Sequence, residues 1–345
     1  MGGFWTGLLL VIAAGTMGGS FTVPQKSVRG WAWEQTWLLY SIVGMLLIPW
    51  LVVGLVIRNP MEVYARVPGP TLARTALFGA GWGVGSVLFG LGVVRVGTSL
   101  AFAIVVSLTA ALGTIVPLAV LHPADLTSAR TFWLLIGLAI VIVGLSLCAR
   151  AGFLKEAAIQ DPRADRAYVG QSAGFLGGLL ICLLSGITSP MFNFSVAFGG
   201  RIRDEAERQG AYGFAASTAV LALSISAGFL INAGYCTILL LRNRSWRLPA
   251  EAPAIRNTVL AILMGLLWSA GMFVYGAGAS LLGSYGPVLG WPLFMTLMVL
   301  TGNFWGVVTG EWKGAGWRAL GLLQLGNLAM MLAFVVISVG AGPSP

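Results

Sequence analysis

Charged residues are scarce in this sequence. Asp, Glu, Lys and Arg make up only 9% of its 345 residues, whereas a soluble domain carries about 25%. Hydrophobic residues make up 57%, and the mean hydropathy is +0.89. This excludes an ordinary soluble protein and indicates an all-α, polytopic protein of the lipid bilayer. The net charge of +9 does not indicate nucleic-acid binding, because the Lys and Arg residues are scattered singly between apolar runs. They are typical of topology signals and lipid headgroup contacts.

Groups suited to catalysis or metal binding are equally few. The single histidine, His122, lies in a short turn, and the three cysteines lie inside apolar runs without metal or disulfide spacing. The motifs of zinc peptidases, serine hydrolases and P-loop nucleotide hydrolases are missing from the sequence. The sequence therefore predicts neither an enzyme nor a cofactor or metal site. Since it contains no nucleotide-binding motif, any transport would have to be driven by a gradient.

Ten apolar runs are long enough to cross a bilayer, which takes roughly 20 residues. They cover residues 5–24, 37–57, 75–94, 97–121, 131–149, 172–198, 211–241, 257–282, 287–309 and 318–340. The longest polar stretch separates the fifth run from the sixth. We therefore predict a five-helix unit in residues 1–150, a cytoplasmic linker in 151–171 and a second five-helix unit in 172–345.

The two halves carry the same frame of glycine and tryptophan. Six positions recur with a constant shift of 186 residues. They are Gly79, Trp82, Gly85, Gly90, Gly92 and Gly97 in the first half and Gly265, Trp268, Gly271, Gly276, Gly278 and Gly283 in the second. Because five is odd, the second copy would enter the membrane from the opposite side. The predicted architecture is ten transmembrane helices in two inverted repeats, as in many transporters.

The distribution of basic residues predicts the orientation. Thirteen of the twenty Lys and Arg residues fall in the loops after spans one, three, five, seven and nine, and the other seven fall in the loops after spans two, four and six. By the positive-inside rule, the first set of loops is cytoplasmic and both termini are outside.

None of the eleven acidic residues lies in the middle of a span. The best candidate for carrying a proton is Glu34, which begins the second span among Trp31, Trp33 and Trp37. Apolar rings partly desolvate a carboxyl group, which favours its protonated form. Lys26 lies eight residues earlier, and we expect it to compensate the charge of Glu34. The alternative is an interfacial aromatic belt with a solvated glutamate and a lysine that binds headgroups.

Several neutral polar or aromatic side chains fall well inside spans. Amides in lipid need partners, so these residues either bond across helices or line a polar cavity. Tryptophan and tyrosine rings can also stack on the apolar face of a sugar. The predicted substrate-binding residues are Asn193, Asn232, Tyr275, Trp82, Trp268 and Asn303.

The chain resembles the bacterial L-rhamnose–proton symporters of the drug/metabolite transporter superfamily over nearly its whole length. The segments that carry the resemblance are Lys26 to Trp37, Pro49-Trp50, Phe78-Gly79, Trp82-Gly83, Gly90-Leu91, Arg95, Gly97, Arg150 to Gly152, Leu154 to Glu156, Ile231-Asn232, Gly234, Cys236, Tyr275 and Glu311-Trp312. The resemblance implies ten helices, two inverted repeats and uptake of a deoxy sugar with a proton across the inner membrane. Ser86 stands where the family carries an amide, and Asn303 is a further departure; both could change which sugar fits.

Three hypotheses follow. The first is a sugar–proton symporter with alternating access, in which Glu34 takes up a proton from outside. The second is an uncoupled permease or an exporter of another small metabolite, which the absence of mid-span acids favours. The third, a membrane sensor, is disfavoured because almost no soluble part remains to signal through.

Overall fold

The computed structural model describes residues 2–159, 172–249 and 251–340. Within these ranges the chain is helical, without a strand, and ten helical segments are long and apolar enough to cross a membrane. This confirms the predicted all-helical class and the number of spans. The helices are α1 Gly2–Ser20, α2 Trp33–Ser41, α3 Ile48–Val56, α4 Pro60–Arg66, α5 Gly69–Val96, α6 Thr98–Leu121, α7 Ala129–Ile159, α8 Ser172–Thr188, α9 Met191–Phe198, α10 Gly200–Arg208, α11 Phe214–Arg242, α12 Ala254–Leu281, α13 Gly286–Val308 and α14 Gly316–Gly340.

The structure departs from the predicted spans at the fifth helix and inside two others. Helix α7 continues to Ile159, so the first part of the predicted linker is helical; residues 160–171 of that linker lie outside the described ranges. The second span consists of α2, a π-helical segment over Ile42–Leu47, and α3. The sixth is divided into α8 and α9 just before Met191, where Pro190 lacks the N–H that would continue a helical ladder.

Two pairs of glycines in the repeated frame have the same structural role in both halves. A Cβ on Gly79 would lie 2.0 Å from the backbone oxygen of Ser224, and a Cβ on Gly265 would lie 3.0 Å from the backbone nitrogen of Gly44. Each glycine thus lets two spans cross at backbone contact. The last glycines of the frame, Gly97 and Gly283, both adopt a positive φ, of 84° and 72°. That conformation is strained for other residues and ends α5 and α12 sharply.

Both described ends of the chain lie at the same side of the bundle, which we call the termini side. Gly7 near the start of α1 packs against Leu281 and Leu282 at the end of α12, and Gly340 at the end of α14 packs against Trp133 near the start of α7. The starts of the second, fourth, sixth, eighth and tenth spans lie at the opposite side.

Candidate functional site

Two tryptophans of the repeated frame meet at the middle of the bundle. Trp82 and Trp268, each halfway along its helix, stack with ring centroids 5.5 Å apart and an interplanar angle of 17°. Phe192 contacts Trp82 at 5.4 Å, and Tyr40 meets Trp268 edge-on at 6.2 Å. These rings form an aromatic layer, and the two tryptophan faces pack against each other rather than against an open space.

Asn193 and Tyr275 lie together, and both are fully buried. The Tyr275 hydroxyl donates to Asn193 Oδ1 at 2.6 Å. The Asn193 Nδ2 donates to the backbone oxygens of Gly113 (2.8 Å) and Pro287 (2.9 Å). The pair therefore ties α9 to α6, α12 and α13. Its hydrogen-bonding groups are occupied by protein, so in this conformation neither side chain is open to a ligand.

Asn232 lies in a different place, on the wall of a cavity of about 420 Å³. Its Nδ2 donates to Gly228 O in its own helix at 3.1 Å. The cavity lies toward the opposite side of the bundle, between the start of α2, the second half of α5 and the second half of α11. Its tryptophans are Trp33 and Trp37, which stack at 4.9 Å, and its polar residues are Ser86, Asn232 and Tyr235. The rest of the wall is largely apolar, and we call this space the tryptophan cavity.

Glu34 is buried beside the tryptophan cavity, with 5% of its surface exposed. Its Oε1 accepts hydrogen bonds from Ser245 Oγ (2.5 Å) and Asn243 Nδ2 (3.0 Å), which follow the end of α11. The neighbouring Gln35 donates to the backbone oxygens of Ser245 and Arg247. The first turn of α2 is thereby fixed to the end of the seventh span. Within the described chain, Glu34 forms no ion pair, so its carboxylate is held by neutral donors alone.

The expectation that Lys26 compensates Glu34 is wrong. Lys26 Nζ lies 2.5 Å from Glu311 Oε1 and donates to Thr309 Oγ1 at 2.9 Å. This partner could not be predicted from the sequence, because Lys26 and Glu311 are 285 residues apart and another lysine, Lys313, follows Glu311 closely. The ion pair links the connection after α1 to the connection after α13.

Asn303 lies apart from the other candidates. Its Nδ2 donates to Asn327 Oδ1 at 2.7 Å and lies 3.4 Å from Cys148 Sγ. It joins α13 to α14 and α7, and it lines neither the tryptophan cavity nor the larger cavity described next. The structure therefore brings Trp82, Trp268, Asn193 and Tyr275 into one connected region, puts Asn232 on the cavity wall, and separates Asn303.

A larger cavity, of about 550 Å³, lies at the termini side. Its polar wall consists of His122, Arg203, Asp204, Glu207, Ser280 and Ser284. None of these was among the predicted site residues. The only sequence signal was the dense run of charges from Arg201 to Arg208, in the predicted loop after the sixth span.

Comparisons with known proteins identify the family of this chain. The family model of the L-rhamnose-proton symport protein (RhaT) matches residues 1–343. The chain is 27% identical over 347 residues to the L-rhamnose-proton symporter of Citrobacter koseri, covering 99% of this chain and 97% of that one. It is 28% identical over 341 residues to the L-rhamnose-proton symporter of Cronobacter sakazakii, covering 97% of each. The chain therefore belongs to the L-rhamnose-proton symport protein family, a family of transporters and not of enzymes.

Proposed function

We propose that this protein takes up a deoxy sugar such as L-rhamnose together with a proton, across the inner membrane of a bacterium. The curated relatives are named L-rhamnose-proton symporters. The observation that carries the proposal is Glu34, a buried carboxylate without a cationic partner in the described chain, next to a cavity of about 420 Å³. Ionisable groups within membrane segments commonly mark proton pathways. Glu34 takes up the proton, and its protonation alters the bonds from Asn243 and Ser245 that fix the start of the second span.

The tryptophan cavity has the chemistry that a deoxy sugar needs. Its volume lies within the usual range of ligand pockets, about 300–1,000 Å³. A deoxy sugar has an apolar face with a methyl group, which fits the indole rings of Trp33 and Trp37. Its remaining hydroxyls bond Ser86, Asn232 and Tyr235. Such a division between an apolar wall and a few polar groups is common in small-molecule sites.

Transport by alternating access requires the centre of the bundle to open. We propose that the two five-helix units are inverted repeats that rock about the aromatic layer of Trp82 and Trp268. As the layer separates, Asn193 and Tyr275 exchange their mutual hydrogen bond for bonds to the sugar. The exchange replaces one buried hydrogen bond by others, so its net free-energy cost is small. We leave Asn303 out of the sugar site, because its amide is bonded to Asn327 outside both cavities.

The proton gradient supplies enough free energy for this task. One charge that crosses a potential of about 150 mV releases roughly 3.5 kcal/mol. At about 1.4 kcal/mol per factor of ten, this supports an accumulation of several hundredfold. By the positive-inside rule both termini are periplasmic, so the tryptophan cavity faces the cytoplasm.

The direct test is sugar-dependent alkalinisation of the medium by cells that express the protein. Wild-type cells are expected to alkalinise the medium when L-rhamnose is added. Glu34→Gln should keep the bonds to Asn243 and Ser245 but lose proton uptake. The matched control is Glu62→Gln, because Glu62 is an exposed partner of Arg66. If Glu34→Gln retained full sugar-driven proton uptake, the coupling role of Glu34 would be refuted.

The second candidate function is an uncoupled permease or an exporter of another small metabolite. It is favoured by the position of Glu34 in the first turn of α2 rather than at mid-span. Collapse of the proton gradient with a protonophore discriminates the two. A symporter would lose accumulation above the external concentration, whereas a permease would equilibrate the sugar as before.

A further inference from the structure

The 550 Å³ cavity at the termini side presents charged groups from a firmly anchored helix. Ile202 and Ala206 of α10 are fully buried in a cluster with Val53 and Val63 of the first half. This anchoring turns the other face of α10, with Arg203, Asp204 and Glu207, toward the cavity.

The charged groups on that face are not paired with one another. Arg203 and Glu207 have the i,i+4 spacing at which helical ion pairs form. In the described chain, however, no ion pair joins them, although the neighbouring Glu205 is paired with Arg208 at 3.0 Å. The guanidinium and the carboxylate therefore remain available to a ligand in the cavity.

The inner end of this cavity lies next to the Asn193–Tyr275 pair. Pro287 lines the cavity, and its backbone oxygen accepts the 2.9 Å bond from Asn193 Nδ2. A smaller gap of about 20 Å³, room for roughly one water, lies between Arg203, Val196 and Gly276, the residue after Tyr275. Arg203 and Val196 line both the cavity and this gap, so the two spaces lie next to each other between the termini side and the pair.

The donor and acceptor set favours a neutral polyhydroxylated ring. A guanidinium donates several hydrogen bonds in a fixed fork, and a carboxylate accepts two at once. Each hydroxyl of a sugar both donates and accepts, so a vicinal pair can bond a carboxylate while its oxygens accept from Arg203. The two carboxylates would repel an anion, and the guanidinium would repel a simple cation, so a neutral ligand is favoured.

We propose that this cavity is an outward vestibule that binds a monosaccharide with vicinal hydroxyls before the Asn193–Tyr275 pair opens. Arg203 and Glu207 are its principal binding residues. The inference rests on the proposed sugar uptake and adds a second sugar site to it, separated from the tryptophan cavity by the aromatic layer.

Uptake kinetics provide the first test. Arg203→Gln and Glu207→Gln each remove a charged hydrogen bond to the sugar and are expected to raise the KM for external L-rhamnose about tenfold. The maximal rate should stay within about twofold, because binding is lost without a change to the later steps. The control is Arg201→Gln on the same helix, at an exposed position outside the cavity, which should leave KM unchanged.

Cysteine protection provides the second test and does not depend on transport. Ser284→Cys is placed in the cavity wall, and Thr127→Cys on the exposed surface of the same side. In right-side-out vesicles, external L-rhamnose should slow the reaction of Cys at 284, but not at 127, with a membrane-impermeant maleimide. Of the native cysteines, Cys182 and Cys236 are fully buried, and the wild type measures the background labelling.

The outcomes separate the vestibule from the proposed function. Protection at position 284 in a protein that accumulates no sugar would support the vestibule and refute the uptake. Uptake with unchanged KM in both α10 variants and no protection would refute the vestibule alone. Labelling of position 284 only in inside-out vesicles would overturn its outward assignment.

Discussion

Removal of one hydroxyl group, in Tyr275→Phe, tests the buried pair at the centre of the bundle. Both Tyr275 and Asn193 are fully buried, and the 2.6 Å bond between them supplies the only described donor to Asn193 Oδ1. Phenylalanine keeps the ring in place but leaves this oxygen unpaired where water does not reach it. An unsatisfied buried acceptor costs about 1–3 kcal/mol. We expect the free energy of unfolding to fall by that amount.

The assay is reversible unfolding of the purified protein in detergent, combined with a double-mutant cycle. Asn193→Ala removes three hydrogen bonds. The Tyr275 hydroxyl loses its acceptor and two backbone oxygens lose a donor, so the free energy of unfolding should fall by roughly 3 kcal/mol or more. In the double variant the hydroxyl no longer needs a partner. The double variant should therefore lose less free energy of unfolding than the two single variants together, by about 1–2 kcal/mol.

The control variant is Tyr212→Phe, because Tyr212 is 74% exposed and should change stability by less than about 0.5 kcal/mol. If Tyr275→Phe changed stability as little as this control, the claim that the hydrogen bond to Asn193 stabilises the bundle would be refuted. The same would follow if the stability losses of the two single variants simply added in the double variant.

Three further predictions concern other parts of the bundle. Gly79→Ala should lower the free energy of unfolding by about 1–3 kcal/mol, because its Cβ would meet the Ser224 backbone. In the same unfolding assay, the control Gly90→Ala should be neutral or stabilising, because a Cβ at position 90 would have no atom within 4 Å. Ser86→Asn should change the order of sugar preference in a competition uptake panel, since residue 86 lines the tryptophan cavity; an unchanged order would argue against that cavity as the sugar site. Lys26→Met should lower stability by less than about 1 kcal/mol, because its ion pair with Glu311 is substantially exposed, and a larger loss at high salt would contradict this reasoning.

Only part of the candidate site could be predicted from the sequence. Glu34 and Asn232 were predicted site residues, and the structure puts Asn232 on a cavity wall and Glu34, without a cationic partner in the described chain, beside it. Asn193 and Asn303 were equally plausible from the sequence, yet their amides are bonded to other parts of the chain. A lone amide in an apolar run gives the same signal whether it joins helices or faces a cavity, because only its three-dimensional neighbours differ.

The amino-acid sequence by itself determined the ten spans and their approximate limits. In lipid, unpaired backbone groups are so costly that a sufficiently long apolar run has to form a helix, and this requirement is local. The tertiary structure alone decided that Lys26 pairs with Glu311 rather than with Glu34, that Asn193 bonds Tyr275, and where the charged cavity beside α10 lies. These features depend on contacts between residues far apart in the chain, and such contacts follow from how the helices pack.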